Sequence, residues 1–211
     1  LPLAKDYKRI GEGDTGLNTG GMGAISPVPF VDEKLYERIE NEVVKPTVNG
    51  VKAENYNYKG IIFIGLMVVK GKPYVIEYNV RMGDPETEVV FPRIESDVVD
   101  LFEAIAQGVL SSVVLSINPQ TAATVIAVSG GYPEAYEKNK KIKGIEQVTE
   151  SVVFHAGTTL KEGQVLTSGG RVLALTSFGK DKDEALAKSY DSLSQVKFDK
   201  MNYRKDIGFD L

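Results

Sequence analysis

The run Val75-Ile-Glu-Tyr-Asn-Val-Arg-Met-Gly-Asp-Pro-Glu-Thr-Glu88 constrains this chain more than any other segment. Polar Glu77, Asn79 and Arg81 alternate with apolar Ile76, Tyr78 and Val80, and the period of two in a β-strand puts each set on its own face. Gly83 then permits an abrupt turn, Asp84 suits a helix cap, and Pro85 suits a first helical position. A strand feeding a helix through a tight turn is expected, with a polar face that ends at the turn. Strand residues two apart lie roughly 6–7 Å from one another. The Glu77 carboxylate and the Asn79 amide oxygen are therefore hard donors able to share one magnesium ion. Arg81, one step further, is placed to neutralise a phosphoryl group or an acyl phosphate. A solvated strand face of mixed charge accounts for the same spacing equally well.

A second constellation is Asp14-Thr-Gly-Leu-Asn18-Thr19-Gly20-Gly21-Met-Gly23. Its glycines can fold the backbone into a concavity of N–H groups for an anion. The Gly-Lys-Ser/Thr ending of a Walker loop is absent, and no strand–turn–helix surrounds it as a Rossmann fingerprint requires. Glycine-rich surface loops without a ligand are at least as common. Lys8 and Arg9, just upstream, add positive charge or are simply exposed. His155-Ala-Gly-Thr158 and Gly169-Gly-Arg171 form a weaker pair. A lone histidine is more often a hydrogen-bonded structural residue than a catalyst. Arg171 can reach a substrate or brace a turn.

Composition excludes several classes. The 211 residues contain no cysteine and one histidine, which removes disulfides, thiolate nucleophiles and multi-histidine zinc sites. A net charge of −4 gives no bulk attraction to nucleic acid or anionic membrane. The longest apolar run, Ile61–Val69, is interrupted by Gly65 and is far short of the ~20 residues of a spanning helix. No signal-peptide pattern opens the chain. A cytoplasmic protein with no nucleic-acid or membrane partner is expected. The chain opens Leu-Pro-Leu-Ala-Lys without an initiator methionine or a helix cap, and the expectation is that it is part of something longer.

Periodicity outlines the elements. Residues 1–31 read as a short strand and a long structured loop. Leu35, Ile39 and Val43 define an amphipathic helix capped by Asp32 and ending near Lys45-Pro46. Gly60–Lys70, apolar on both faces and expected to be buried, pairs with Lys72–Val80 through Lys70-Gly71-Lys72. Helices are expected over about Pro85–Ile94 and Asp97–Val109, the latter facing Val98, Phe102, Ile105 and Val109 to one side. Short strands follow at Ala122–Ser129, Val152–His155, Gln164–Leu166 and Arg171–Phe178, then a helix over about Lys182–Val196. The fold class is α+β with an antiparallel sheet and flanking helices. A domain boundary is expected at residues 117/118, with a small sheet-rich domain and one late helix over 118–211.

Taken together, these motifs resemble the glycinamide ribonucleotide synthetase (phosphoribosylamine–glycine ligase) family of ATP-grasp enzymes. Arg81-Met-Gly-Asp-Pro-Glu-Thr-Glu88 is similar to the family signature, with Met82 where Phe or Leu is usual. Asp14–Gly23, Val75–Asn79, His155–Thr158, Gly169–Val172 and Tyr203–Gly208 follow in family order and at family-like spacing. The resemblance implies that residues 1–117 are the later part of an ATP-grasp core and 118–211 the carboxy-terminal domain. It implies ATP-driven joining of glycine to 5-phosphoribosylamine through glycyl phosphate, with ATP as co-substrate and magnesium or manganese as the metal. It carries the metal over to Glu77 and Asn79 and stabilisation of phosphoryl charge to Arg81. It puts substrate contacts near Asp14, Asn18, Thr19, Gly20, Gly21, Asp84, Pro85, Glu86 and Arg171. No nucleophile or general base stands out, consistent with catalysis by positioning and electrostatics.

Two departures accompany the resemblance. Gly60–Lys70 lacks the acidic metal ligand that many ATP-grasp enzymes place on the preceding strand. The family's amino-terminal domain and adenine-binding part should lie before Leu1, so the chain alone is expected to be inactive. Two other readings remain: another ATP-grasp carboxylate–amine ligase or carboxylase, and a non-catalytic structural or binding module when isolated.

Overall fold

The computed structural model describes all 211 residues. The chain runs through β1 (Lys5–Asp6), β2 (Arg9–Gly11), β3 (Thr15–Asn18), β4 (Gly23–Ser26), α1 (Glu33–Ile39), α2 (Lys45–Ala53), β5 (Phe63–Val69) and β6 (Lys72–Asn79). It continues through α3 (Thr87–Val90), α4 (Val98–Gln107), β7 (Thr121–Val128), β8 (Val152–His155), β9 (Thr158–Lys161), β10 (Gln164–Thr167), β11 (Arg171–Gly179) and α5 (Lys182–Gln195). These elements form two compact units that interleave in sequence. One comprises Leu1–Val28, Asp84–Glu95 and Ile117–Leu211; the other comprises Pro29–Gly83 and Ser96–Ser116.

The first unit is built on a five-stranded antiparallel sheet in the order β1-β4-β7-β11-β8. Its centre is β7, whose residues Ala122 to Val128 are all buried. A strand buried on both faces needs apolar or small side chains throughout, which Ala122-Ala-Thr-Val-Ile-Ala-Val128 supplies. Helix α5 packs on β7 and β11 through Ala185, Leu186 and Leu193, and Asp181 caps it by accepting from the Glu184 N–H at 2.9 Å. The short α3 buries Val89 and Val90 and lies against β4 and β7. The buried Arg93 has a partner at each of its three guanidinium nitrogens. It donates from Nη1 to Ser26 Oγ at 2.8 Å, and from Nε and Nη2 to the Asn118 carbonyl at 3.1 and 3.0 Å.

The second unit holds α1, α2, α4 and the β5–β6 hairpin. Lys70 and Gly71 both have positive φ, 50° and 70°, the geometry of a two-residue hairpin turn that follows strand twist. β5 is not buried on both faces as its composition suggested. The hairpin is a two-stranded sheet, and Met67, Val69, Tyr74, Ile76 and Tyr78 are exposed. The helix capped by Asp32 does not stop at Pro46. A π-helical turn, Glu40–Val44, joins α1 to α2 with Pro46 in the first turn of α2. Proline lacks an N–H and its ring crowds the carbonyl four residues back, and a widened turn accommodates both. In α4, Asp97 accepts from the Val99 N–H and Gly108 is left-handed, as cap and stop. Its buried residues are Leu101 and Ala104, while Phe102 is exposed.

The turn after β6 also differs from expectation. Asp84 does not cap a helix and Pro85 is not its first residue. The α-helix begins only at Thr87 and lasts one turn before a 3-10 turn, Phe91–Arg93, and no side chain caps its amino end. The Asp84–Pro85 peptide bond is cis, and Asp84 turns its carboxylate to Arg171.

Candidate functional site

In the second unit, Glu77 and Asn79 pair with Gly65 and Phe63 of β5. Being two apart on a regular stretch of strand, their side chains share a face. The register shifts between Gly65 and Leu66, so Val75 faces Leu66 and Ile76 is the extra residue. A Cβ at position 65 would meet Glu77 Cγ at 3.0 Å, so the glycine leaves that carboxylate room. Neither the Glu77 nor the Asn79 side chain has a hydrogen bond or ion pair within the protein. The chain has no group of three or more His, Asp or Glu side chains arranged around a common point. Two oxygen donors on one strand face fit a magnesium ion that brings phosphate and water oxygens of its own, rather than a self-sufficient protein cage. Arg81 lies past the end of β6, in a bend, where Nη1 donates to the Met82 carbonyl at 2.7 Å.

The first unit brings together residues 20–21, 84–85 and 171. Four successive N–H groups of the glycine-rich loop already have acceptors. Thr19 donates to the Lys8 carbonyl at 2.7 Å, Gly20 to Tyr132 Oη at 2.9 Å, Gly21 to Thr19 Oγ1 at 2.9 Å and Met22 to the Tyr7 carbonyl at 2.8 Å. Residues 19–22 therefore present no free N–H concavity, contrary to what glycine content alone suggested.

The glycines serve close packing instead. A Cβ at Gly20 would lie 2.8 Å from Arg171 Cζ, and one at Gly21 would lie 2.3 Å from Pro85 Cδ. Arg171 Nη1 donates to the Gly20 and Asp84 carbonyls, each at 2.9 Å, and pairs with Asp84 Oδ1 at 2.9 Å. One guanidinium nitrogen thus ties the glycine-rich loop to the Asp84-Pro85 turn. Beside this junction the Glu86 carboxyl is buried, and burial together with the nearby Asp6 charge raises its pKa to about 7. Glu88 is raised as well, by burial first and then by Asp84.

Asp14 and Asn18 sit apart from that junction. Asn18 ends β3 opposite Arg9 and is exposed. Asp14 Oδ1 accepts from Arg204 Nη1 at 2.6 Å. Arg204 is fully buried; it also pairs with Asp206 at 2.6 Å and lies over the rings of Tyr7 and Phe209 at 5.3 and 5.4 Å. The closing motif Tyr203–Gly208 therefore anchors the β2–β3 hairpin, with Gly13 N–H donating to Asp206 Oδ2 at 2.7 Å. His155 is exposed on β8, its Nδ1 3.0 Å from Thr158 Oγ1, a local structural bond. Sequence reasoning missed Tyr132 and Arg204. Tyr132 meets Gly20, 112 residues away, and no local pattern signals it; Arg204 lies within the Tyr203–Gly208 motif, but its bond to Asp14 spans 190 residues.

Comparison with known proteins gives a consistent result. The family model "Phosphoribosylglycinamide synthetase, ATP-grasp (A) domain" matches residues 1–87, and the model of that family's C domain matches 122–210. The phosphoribosylamine–glycine ligase of Neisseria meningitidis serogroup B is 48% identical over 98% of this chain and 50% of its own length. The crystal structure of the Thermotoga maritima phosphoribosylamine–glycine ligase superposes with a TM-score of 0.86 at 39% identity, over 98% of this chain and 51% of that one. A biotin carboxylase from Campylobacter jejuni shares the fold at 16% identity and a TM-score of 0.56, over 86% of this chain and 40% of that one. The chain spans about half the length of the curated relatives it matches.

Proposed function

Because the chain belongs to the phosphoribosylglycinamide synthetase family, we propose that the whole protein joins glycine to 5-phosphoribosylamine. The reaction consumes ATP and yields glycinamide ribonucleotide, ADP and phosphate. ATP transfers its γ-phosphoryl group to the glycine carboxylate, and the amine of phosphoribosylamine then attacks the glycyl phosphate and expels phosphate. The observation that carries this reading is similarity along almost the entire chain to proteins of that name. ATP-grasp enzymes in general use ATP and a divalent metal, and here we assign magnesium or manganese to Glu77 and Asn79. Their support is a shared strand face and the lack of any competing protein partner. The metal, when bound, offsets phosphate charge and orients the transferring group. Arg81 adds a positive charge to the transferring phosphoryl group.

The substrate contacts we assign to Asp14, Asn18, Thr19, Gly20, Gly21, Asp84, Pro85, Glu86 and Arg171. Their support is the packing of the glycine-rich loop, the Asp84-Pro85 turn and Arg171 into one junction, with Asp14 and Asn18 on the adjoining hairpin. We read residues 1–117 as the later part of the ATP-grasp core and 118–211 as the carboxy-terminal domain, a division supported by the family-model limits 1–87 and 122–210. The relatives' remaining half, by this reading, supplies the adenine-binding wall, so the 211-residue chain alone is inactive. A cytoplasmic location suits such an enzyme, and no helix is long and apolar enough to cross a membrane.

The test is ADP release by the full-length protein with each substrate omitted in turn. Dependence on both glycine and phosphoribosylamine is expected. Undiminished release without glycine contradicts the assignment, and release that requires bicarbonate instead favours a carboxylase.

A further inference from the structure

Arg171 is used unevenly. Its Nη1 makes both carbonyl bonds and the ion pair with Asp84, whereas Nε and Nη2 have no partner within the protein. The side chain is 20% exposed, so most of it is fixed by its surroundings while part still meets solvent. Its guanidinium plane rests on Gly20, where any Cβ would lie within 3.0 Å of Cζ, Nη2 and Nε. Immobilised at one nitrogen and against one face, the group keeps a parallel pair of N–H donors along the edge formed by Nε and Nη2. That edge matches the two-oxygen face of a carboxylate or phosphate. Tyr132 holds the arrangement from the other side. Its Oη accepts the Gly20 N–H at 2.9 Å and so holds the residue on which the guanidinium rests, while the Gly20 carbonyl accepts from Arg171. The Tyr132 ring lies where a side chain at Gly170 would be, with a Cβ only 2.2 Å from Cδ2.

We propose that the Nε/Nη2 edge of Arg171 is the anion subsite of the substrate junction, donating to two oxygens of a carboxylate or phosphate monoester, with Tyr132 as its positioning residue. This rests on the ligase reading, in which glycine brings the carboxylate and phosphoribosylamine the phosphate. It replaces the glycine-rich loop's own N–H groups as the anion-recognition element, because those of residues 19–22 are already satisfied.

The experiment is steady-state kinetics of the full-length protein carrying Arg171→Lys, Arg171→Ala or Tyr132→Phe. KM is measured separately for glycine, phosphoribosylamine and ATP. Arg171→Ala is expected to raise KM for one anionic substrate by about tenfold or more, as loss of a charge-assisted pair implies. Arg171→Lys keeps the charge but lacks the planar fork, and should shift the same KM in the same direction. Tyr132→Phe should move that KM less, with kcat and KM for ATP nearly unchanged. A rise for phosphoribosylamine identifies the phosphate, and a rise for glycine identifies the carboxylate. KM values for both anionic substrates within twofold of the parent in Arg171→Lys overturn the proposal, as does a fall in kcat alone. If Arg171→Ala fails to fold, the Lys and Phe variants still decide the matter. A parent protein without glycine-dependent turnover contradicts the ligase reading itself, a result distinct from an active parent whose KM values are insensitive to position 171.

Discussion

Gly21 shows how a single residue type can be set by what packs on it. Its φ of +125° excludes a side chain, and so does Pro85 Cδ, which would lie 2.3 Å from any Cβ at this position. Gly21→Ala should therefore destabilise the first unit by about 1–3 kcal/mol, read as a lower urea midpoint; an unchanged midpoint contradicts this packing. Glu86 gives a pH-dependent prediction. An unfolded glutamate titrates near ~4.3, whereas the buried carboxyl titrates at about 7. Between those values the unfolded chain has released the proton and the folded one retains it. The stability tied to the protonated carboxyl is thus full below the lower value and is lost as pH rises through the higher. Glu86→Gln removes that loss, so it should be more stable than the parent above pH ~7, by about 1–3 kcal/mol, with the gap closing below pH ~4.5. Urea unfolding at the two pH extremes checks it; equal stability at the alkaline end refutes the buried-charge penalty. Asp14 shows the limit of reading single residues from sequence. Its place in a glycine-rich run gives no sign that its carboxylate meets Arg204, 190 residues further on.

Elements were legible where one local signal governs them. The Lys70-Gly71 turn, the Asp32 cap and the apolar run of β7 are each set by residues within a few positions. Where two requirements compete, sequence alone misleads. Pro46 reads as a stop, yet a π-helical turn carries the helix past it. Asp84-Pro85 reads as a helix start, yet Arg171 captures the aspartate and the helix opens later. β5 reads as buried because it is apolar on both faces, while burial depends on a covering layer that no strand encodes for itself. For α5 the local and tertiary signals agree. Leu193 is fully buried in the core on β7 and β11, and Leu193→Ala should cost about 2–5 kcal/mol in chemical denaturation. A loss under about 1 kcal/mol would mean that the helix is not seated on the sheet as described.

At the scale of the molecule, the sheet of the first unit draws its strands from both ends of the chain. β4, from residues 23–26, pairs with β7 and contributes fully buried Ile25 beside Met22. Removing Leu1–Val28 should expose the edge of β7 and render residues 117–211 sensitive to limited proteolysis; a protected fragment of that span would show that β1 and β4 are dispensable. This long-range pairing could not be read from the sequence, since strand order is set by packing across intervening segments. The motif order did reveal the family, because each motif keeps its place along the chain. The metal-binding face of β6 is the feature on which the proposed chemistry depends most. The most direct measurement is turnover of the full-length protein with Glu77→Gln at saturating magnesium, alongside its thermal unfolding. A fall of about a hundredfold or more is expected, the scale of several kcal/mol of charge stabilisation, with the unfolding midpoint essentially unmoved. Turnover equal to the parent's at saturating magnesium contradicts the assignment and removes Glu77 from the metal.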